Sequence, residues 1–183
     1  MTPDTPHADT AGTQRPGSLR PIRIRPSEAR DAEAVAALLL PILREGTTYA
    51  LDRDMSRDEA LAYWFAPDKA GFVAEDAASG AIVGAYYLRA NQGGGGRHVC
   101  NCGYIVSPAA RGEGIARRLG EHSFAEGKAR GYRAMQFNFV VSANAPAVHL
   151  WQALGFAIVG RLPEAFAHPE LGYIDALVMM RPL

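Results

Sequence analysis

Residues Ile105-Val106-Ser107-Pro108-Ala109-Ala110-Arg111-Gly112-Glu113-Gly114-Ile115-Ala116 combine features that suit an anionic ligand. Pro108 cannot donate to a strand ladder, so it ends the apolar run before it. Gly112 and Gly114 permit backbone conformations and close approaches that a side chain blocks. The helix that follows presents unpaired N–H groups and a partial positive charge at its first turn, and Arg111 adds a full charge beside it. Together these make a pyrophosphate cradle; the alternative is a tight turn with no ligand. Two other glycine motifs fail. A nucleotide P-loop needs Lys and Ser/Thr after its last glycine, but Ile115 and Ala116 follow Gly114. A dinucleotide fingerprint needs a third glycine and an acid on the next strand; Arg117 stands at the glycine position and Met135 to Val141 holds no acid.

A second set of residues points to ligand orientation. Asn101 interrupts a strand, and Asn138 lies within Met135-Gln136-Phe137-Asn138-Phe139-Val140-Val141. Strict alternation puts Met135, Phe137, Phe139 and Val141 on one face and Gln136, Asn138 and Val140 on the other. A buried amide without partners costs about 1–3 kcal/mol, so each needs either a protein group bridging two strands or a substrate. Asparagine is no base; its use is to donate to a carboxylate or a developing oxyanion. Cys100 and Cys102 sit two apart on one strand face, poor geometry for a disulfide, and without paired histidines they make a weak metal site. No metal is expected, and reduced thiols point to the cytoplasm.

These residues need a scaffold. The 183 residues are 48% hydrophobic and 21% charged with zero formal net charge, which argues for a packed core and against nucleic acid or an anionic membrane bound by bulk charge. Residues 1–19 are polar with no apolar core segment and read as a disordered tail, leaving 20–183 as one domain. Pro21 to Arg25 alternates as a first strand. Asp31 can cap a helix carrying Val35, Leu38, Leu39 and Ile42, which Pro41 should end or kink within a residue or two. Ser56 and Glu59 form a capping box before a short helix with Leu61, Trp64 and Phe65. Gly71–Glu75 and Ala81–Leu88 read as a hairpin, Gly93–Gly96 as a mobile loop, and His98–Val106 as a strand. A helix from Gly114 to about Arg130 ends at Gly131. Ala134–Val141 is a strand, Asn144–Leu154 a helix, Phe156–Val159 and Tyr173–Met180 the last strands. Pro163 to Tyr173 should join those two, with His168, Glu170 and Tyr173 either near a substrate or on a solvated hairpin. The fold class is α/β: a mixed, mostly antiparallel sheet of about seven strands, helices on both faces, and one central β-α-β unit.

Residues 111–116 resemble the Arg/Gln-x-x-Gly-x-Gly/Ala motif of the GCN5-related N-acetyltransferases. Asn144 to Phe156 is similar to that family's Asn-helix-"leu-tyr-x-x-x-gly-phe" segment, and the resemblance covers residues 20–183. It implies acetyl-CoA as cosubstrate, bound on the central unit. The amides of Arg111, Gly112, Glu113, Gly114, Ile115 and Ala116 would hold the pyrophosphate, the backbones of Ile105 and Val106 would pair with the pantetheine arm, and Asn144 would reach the thioester in binding and catalysis. Many members protonate the leaving thiolate with a tyrosine where this chain has Trp151, whose indole is no acid at neutral pH. Tyr104, His149 and Cys102 are the nearby candidates. The run from Met135 to Gly160, with Leu162-Pro163, Ala165-Phe166, His168-Pro169 and Gly172-Tyr173 through Leu177, resembles the azetidine-2-carboxylate (proline-analogue) acetyltransferases of yeasts and their bacterial relatives. That resemblance assigns Asn101, Asn138 and Asn144 to substrate binding and catalysis. It implies a small amine or cyclic imino acid as acceptor, and a homodimer. Acetylation of protein or peptide N-termini, and a non-catalytic acyl-CoA sensor, are the other readings of the same fold.

Overall fold

The computed structural model describes residues 20–183; the tail expected over 1–19 lies outside the described residues. The strands are β1 (Ile22–Pro26), β2 (Ala70–Asp76), β3 (Ile82–Ala90), β4 (Val99–Val106), β5 (Ala134–Val141), β6 (Ala157–His168) and β7 (Gly172–Pro182). The helices are α1 (Ala32–Glu45), α2 (Arg57–Trp64), α3 (Ile115–Ala129) and α4 (Ala145–Ala153). One seven-stranded sheet has the order β1-β2-β3-β4-β5-β7-β6. Every neighbouring pair is antiparallel except β4 and β5, which are parallel and joined through α3. No helix of the described residues is long and apolar enough to cross a membrane.

Each face of the sheet has its own core. On one, Ile115, Leu119 and Phe124 of α3, Trp151 of α4 and Leu154 just after it pack on Tyr86, Leu88, Cys100, Met135, Phe137, Leu177 and Met179. On the other, Val35, Leu39 and Leu43 of α1 and Ala60 and Trp64 of α2 cover Val73, Ala85, Tyr87 and Ile105. Large side chains buried this way contribute about 1.5–3 kcal/mol each. The capping box at Ser56 and Glu59 forms as the sequence predicts.

Three expectations need correction. Pro41 does not end α1, which runs on to Glu45 and stops at left-handed Gly46. Pro41 and Ala37, whose carbonyl loses its helical donor, are both exposed, so that carbonyl is open to solvent. The 93–96 segment is a short 3₁₀ turn over Gly94–Gly96. Residues 163–168, expected in a connection, belong to β6, which is twelve residues long. Pro163 is tolerated because β6 is an edge strand and the register slips between Leu162 and Phe166. Glu164 takes a positive φ of 50° in that bulge, and its N–H bonds Asp175 Oδ1 at 3.0 Å.

The start of the domain is fastened by charge. Arg25 on β1 donates to both oxygens of Asp31 at 2.8 and 2.9 Å and to Glu75 at 2.8 Å. Asp31 is buried and also accepts the Glu28 N–H; it therefore serves the turn before α1 and makes no side-chain cap. The Arg25 guanidinium is the main reason its carboxyl lies below the usual range. A depressed folded value stabilises above the unfolded carboxylate pKa, about 3.9, and is lost as pH falls through the folded one. Asp31→Asn should therefore lower the unfolding free energy at pH 7 by on the order of 2 kcal/mol, with the gap to wild type closing below about pH 4. Urea unfolding at pH 7 and pH 3 checks this; an equal gap at both would rule out the charge as the cause.

Candidate active site

The parallel contact between β4 and β5 is short. It holds at Val99–Ala134 and Cys100–Met135, after which the strands splay. Asn91 N to Val99 O (2.8 Å) and Ser107 N to Val83 O (2.9 Å) fix the alternation. Odd-numbered residues of β4 exchange hydrogen bonds with β3, so Cys102, Tyr104 and Val106 turn their N–H and C=O groups toward the gap. The structure thus separates two residues that the sequence treats alike. Val106 offers its backbone to a ligand in the gap; Ile105 uses its own on β3 and buries its side chain beneath α1. Tyr49, in the segment between α1 and α2, donates its hydroxyl to Tyr104 O at 2.8 Å and so fastens that segment to the free edge.

At the end of β4 the chain turns through Pro108–Ala110 into the α3 N-terminus. Gly112 and Gly114 have φ of 82° and 72°, the left-handed region that glycine enters without strain. Within the turn, Arg111 N bonds Pro108 O (3.3 Å) and Glu113 N bonds Ala110 O (3.4 Å). Those two amides are therefore spent, a correction to the full set expected from 111–116. The N–H groups of Gly112, Gly114, Ile115 and Ala116 have no backbone acceptor among the described residues, and no side chain caps α3. Free amides at a helix start, with Arg111 beside them, fit an anion. The Glu113 carboxylate is turned away from this role and pairs with Arg20 (Nη2–Oε1 3.1 Å).

A cavity of about 930 Å³ occupies the gap. Its walls include Val106, Arg111, Gly112, Ala116 and Asn144 at the turn end, and Tyr49, Tyr87, Arg89, Asn101, Asn138 and His168 at the other. Asn144 caps α4, accepting Ala147 N on its Oδ1 at 3.3 Å; its Nδ2 has no partner among the described residues. Asn101 and Asn138 meet through a third amide that the sequence reading missed. Asn91, itself 8% exposed, takes Asn138 Nδ2 at 2.7 Å and Asn101 Nδ2 at 3.3 Å on one Oδ1. Gln136 Nε2 donates to Asn138 Oδ1 at 2.8 Å. These amides bridge the splayed strands and also line the cavity. A bulge in β5 between Phe137 and Val140 sets this up. It breaks the strict alternation: Val140 joins Phe137 against the α3–α4 core, and Phe139 meets Phe166 (ring centroids 6.1 Å).

None of the three proton-donor candidates suits that task. Tyr104 is held by Ser123 Oγ at 2.8 Å, with burial raising its pKa well above the usual value. Burial likewise pushes the Cys102 thiol up. His149 is exposed on α4 and outside the cavity wall. Trp151 is buried between Tyr104 and Phe137, with ring centroids at 4.8 and 4.9 Å. Of the connection residues, His168 reaches the cavity; Glu170 and Tyr173 are exposed. The Glu170 and Leu171 N–H groups both donate to His168 Nδ1 at 3.2 Å, which makes neutral His168 an Nε2–H donor. On the α2 side, the Tyr63 and Tyr87 hydroxyls are 3.0 Å apart. Lys69 lies 3.3 Å from the Tyr63 ring centroid, and burial lowers its pKa to about 8. Tyr87 lies over Gly103, where a Cβ would come within 2.6 Å of its ring.

A sheet split at one parallel pair, free amides at the following helix and a free strand edge between them fit an acyl-CoA-type ligand. The model of the acetyltransferase (GNAT) family matches residues 36–156. N-acetyltransferase aca1 of Schizosaccharomyces pombe is 31% identical over 150 residues, covering 73% of this chain and 71% of that protein. The structure of a GCN5-related N-acetyltransferase from Kribbella flavida superimposes with a TM-score of 0.83 at 38% identity, over 88% of this chain and 98% of that one. A phosphinothricin acetyltransferase from Sinorhizobium meliloti, solved in complex with acetyl-CoA, shares the fold at 24% identity and a TM-score of 0.77, over 88% of each chain. The chain belongs to the GNAT family. It is an acetyl-CoA-dependent N-acetyltransferase.

Valine at position 114 cannot enter the left-handed region without strain of about 1–2 kcal/mol, a cost that falls on the turn and leaves the core untouched. Gly114→Val should weaken acetyl-CoA binding at least about 100-fold while the thermal transition stays cooperative; each 10-fold corresponds to about 1.4 kcal/mol. Calorimetric titration with acetyl-CoA reads this, and an unchanged Kd would remove the cradle from the site.

Proposed function

We propose that the acceptor is a small amino acid or proline-like cyclic imino acid, acetylated on its nitrogen. The observation that carries this reading is that Asn101 and Asn138 line one cavity with Asn144 and the free edge of β4. The resemblance to the azetidine-2-carboxylate acetyltransferases implies substrate-binding and catalytic roles for the same three asparagines. Bound acetyl-CoA supplies the activated acyl carbon. Toward it, Gly112, Gly114, Ile115 and Ala116 offer amides to the pyrophosphate, Arg111 offers charge, and Val106 offers an N–H and C=O to the pantetheine arm. Asn144, fixed by its cap, keeps Nδ2 for the thioester end. Asn101 and Asn138 orient the acceptor so that its nitrogen lone pair meets the acyl carbon; the N–C bond forms as the C–S bond breaks, the amine proton passes to solvent, and CoA leaves as a thiolate that solvent protonates.

The exposed apolar side chains Ile158, Val159, Leu162, Leu171 and Tyr173 crowd the β6–β7 end of the sheet and support a homodimer through it. The unpaired buried thiols of Cys100 and Cys102 suit a reducing cytoplasm.

Thiol release from acetyl-CoA with a panel of amino acids, imino acids, peptides and arylamines tests the acceptor. Turnover on peptides but not on free amino or imino acids would overturn the reading. Asn138→Ala should raise the acceptor KM or lower kcat by about 10- to 100-fold, the scale of one or two hydrogen bonds to a charged group, with acetyl-CoA affinity unchanged. A variant that loses thermal stability alone would reduce Asn138 to a strand bridge.

A further inference from the structure

We propose that Arg89 is the charged anchor of a carboxylate subsite, which restricts the acceptor to molecules with a free carboxylate beside the reactive nitrogen. This rests on the acceptor reading above and narrows it. Arg89 stands on β3 directly opposite Asn101 of β4, so the two side chains leave the same face of the sheet as near neighbours. Both line the cavity. The cavity wall holds two arginines among the described residues, and Arg111 belongs to the anion cradle, which leaves Arg89 as the guanidinium at the asparagine end. Its orientation is fixed from behind: Nε donates to Ala90 O at 3.2 Å, and Nη1 lies 3.2 Å from Asp68 Oδ2. Nη2 has no partner among the described residues. Arg89 and Asp68 are 40% and 56% exposed, so water screens this pair and the guanidinium keeps the capacity to take a second carboxylate.

The amides beside Arg89 have the same polarity. Asn91 Oδ1 consumes one Nδ2 hydrogen from Asn101 and one from Asn138, and Gln136 occupies Asn138 Oδ1. Each Nδ2 carries two hydrogens, so each asparagine keeps one donor for a ligand. His168, with Nδ1 engaged, adds its Nε2–H. This end of the cavity thus offers several donors that suit carboxylate oxygens, alongside the Glu45 carboxylate and Asn101 Oδ1 as acceptors for the amine. Guanidinium and carboxylate match in shape as well as charge, so lysine at this position is an incomplete substitute.

The test compares azetidine-2-carboxylate and a set of free α-amino acids with their carboxamides, on wild type and on Arg89→Gln and Arg89→Lys, with acetyl-CoA affinity measured in parallel. Wild type should prefer acids to amides. Arg89→Gln should raise KM for the acids about 10- to 100-fold and leave the amides and the acetyl-CoA Kd unchanged, and Arg89→Lys should recover part of the loss. A wild type that acetylates acids and amides alike, or an Arg89→Gln variant with an unaltered acid-to-amide ratio, would overturn the subsite while the amino-acid reading stands. Absence of turnover on every acid and amide, with acetyl-CoA still bound, would sink the acceptor reading and the subsite together.

Discussion

The structure depends on the early end of the pairing between β4 and β5. A sheet normally satisfies every backbone N–H and C=O in its interior, yet here two central strands hold at Val99–Ala134 and Cys100–Met135 and then part. Each is kept in place by its outer neighbour, β4 by seven register positions on β3 and β5 by β7. Between them the protein leaves the polar edge of Cys102, Tyr104 and Val106, which would cost free energy if covered by apolar groups. Tyr49 takes one carbonyl of that edge, and the rest is what an extended amide-bearing ligand can use. The row of free amides follows directly, because the loop leaving β4 must turn onto α3, and the turn leaves the first amides of that helix without acceptors.

A split sheet also needs something across its open side, and three amides provide it. Asn91 stands at the end of β3, Asn101 on β4 and Asn138 on the bulge of β5. Their hydrogen bonds reach across the place where backbone pairing has stopped. The bulge matters because an uninterrupted β5 would turn Val140 onto the asparagine face; the extra residue sends it into the core. Asn91 Oδ1 and Asn138 Oδ1 are used within the protein, and one Nδ2 hydrogen each of Asn101 and Asn138 stays unpaired among the described residues.

Local rules made much of this legible in the sequence. The capping box at Ser56, the glycine at 131 and the apolar run Ala134–Val141 each have one physical solution, and the structure adopts it. The rule for Pro41 misled because its cost depends on whether the freed carbonyl meets water, which is a tertiary fact. The length of β6 was hidden by Pro163, which is acceptable only on an edge strand, and edge position follows from sheet order. At the site, the types and spacing of Arg111, Gly112, Gly114 and Asn144 were readable. That Val106 and not Ile105 faces the gap depends on which strand partners β4, and no spacing states that. Asn91 adjoins Gln92 and the glycine run, where it reads as loop polarity, and Arg89 reads as one more strand residue until the register places it opposite Asn101.

Trp151 shows how the two halves of the site divide their work. On the cofactor side the contacts on offer come mostly from backbone: amides at the start of α3 and the free edge of β4. Such contacts survive changes of side chain, so α4 can place an indole against Tyr104 and Phe137 as packing. On the proposed acceptor side they come from Arg89, Asn101, Asn138 and His168, all side chains carried by strands. A substitution there changes what binds without disturbing the cradle, since the cradle shares no hydrogen bond with that set among the described residues. The proton relay is a side-chain property too, and with Trp151 unable to serve as an acid the proposed reaction gives that task to solvent. One fold can then keep its acyl donor while its acceptors diverge: the donor is read by a backbone that the sheet must form, and the acceptor by a few side chains that it need not.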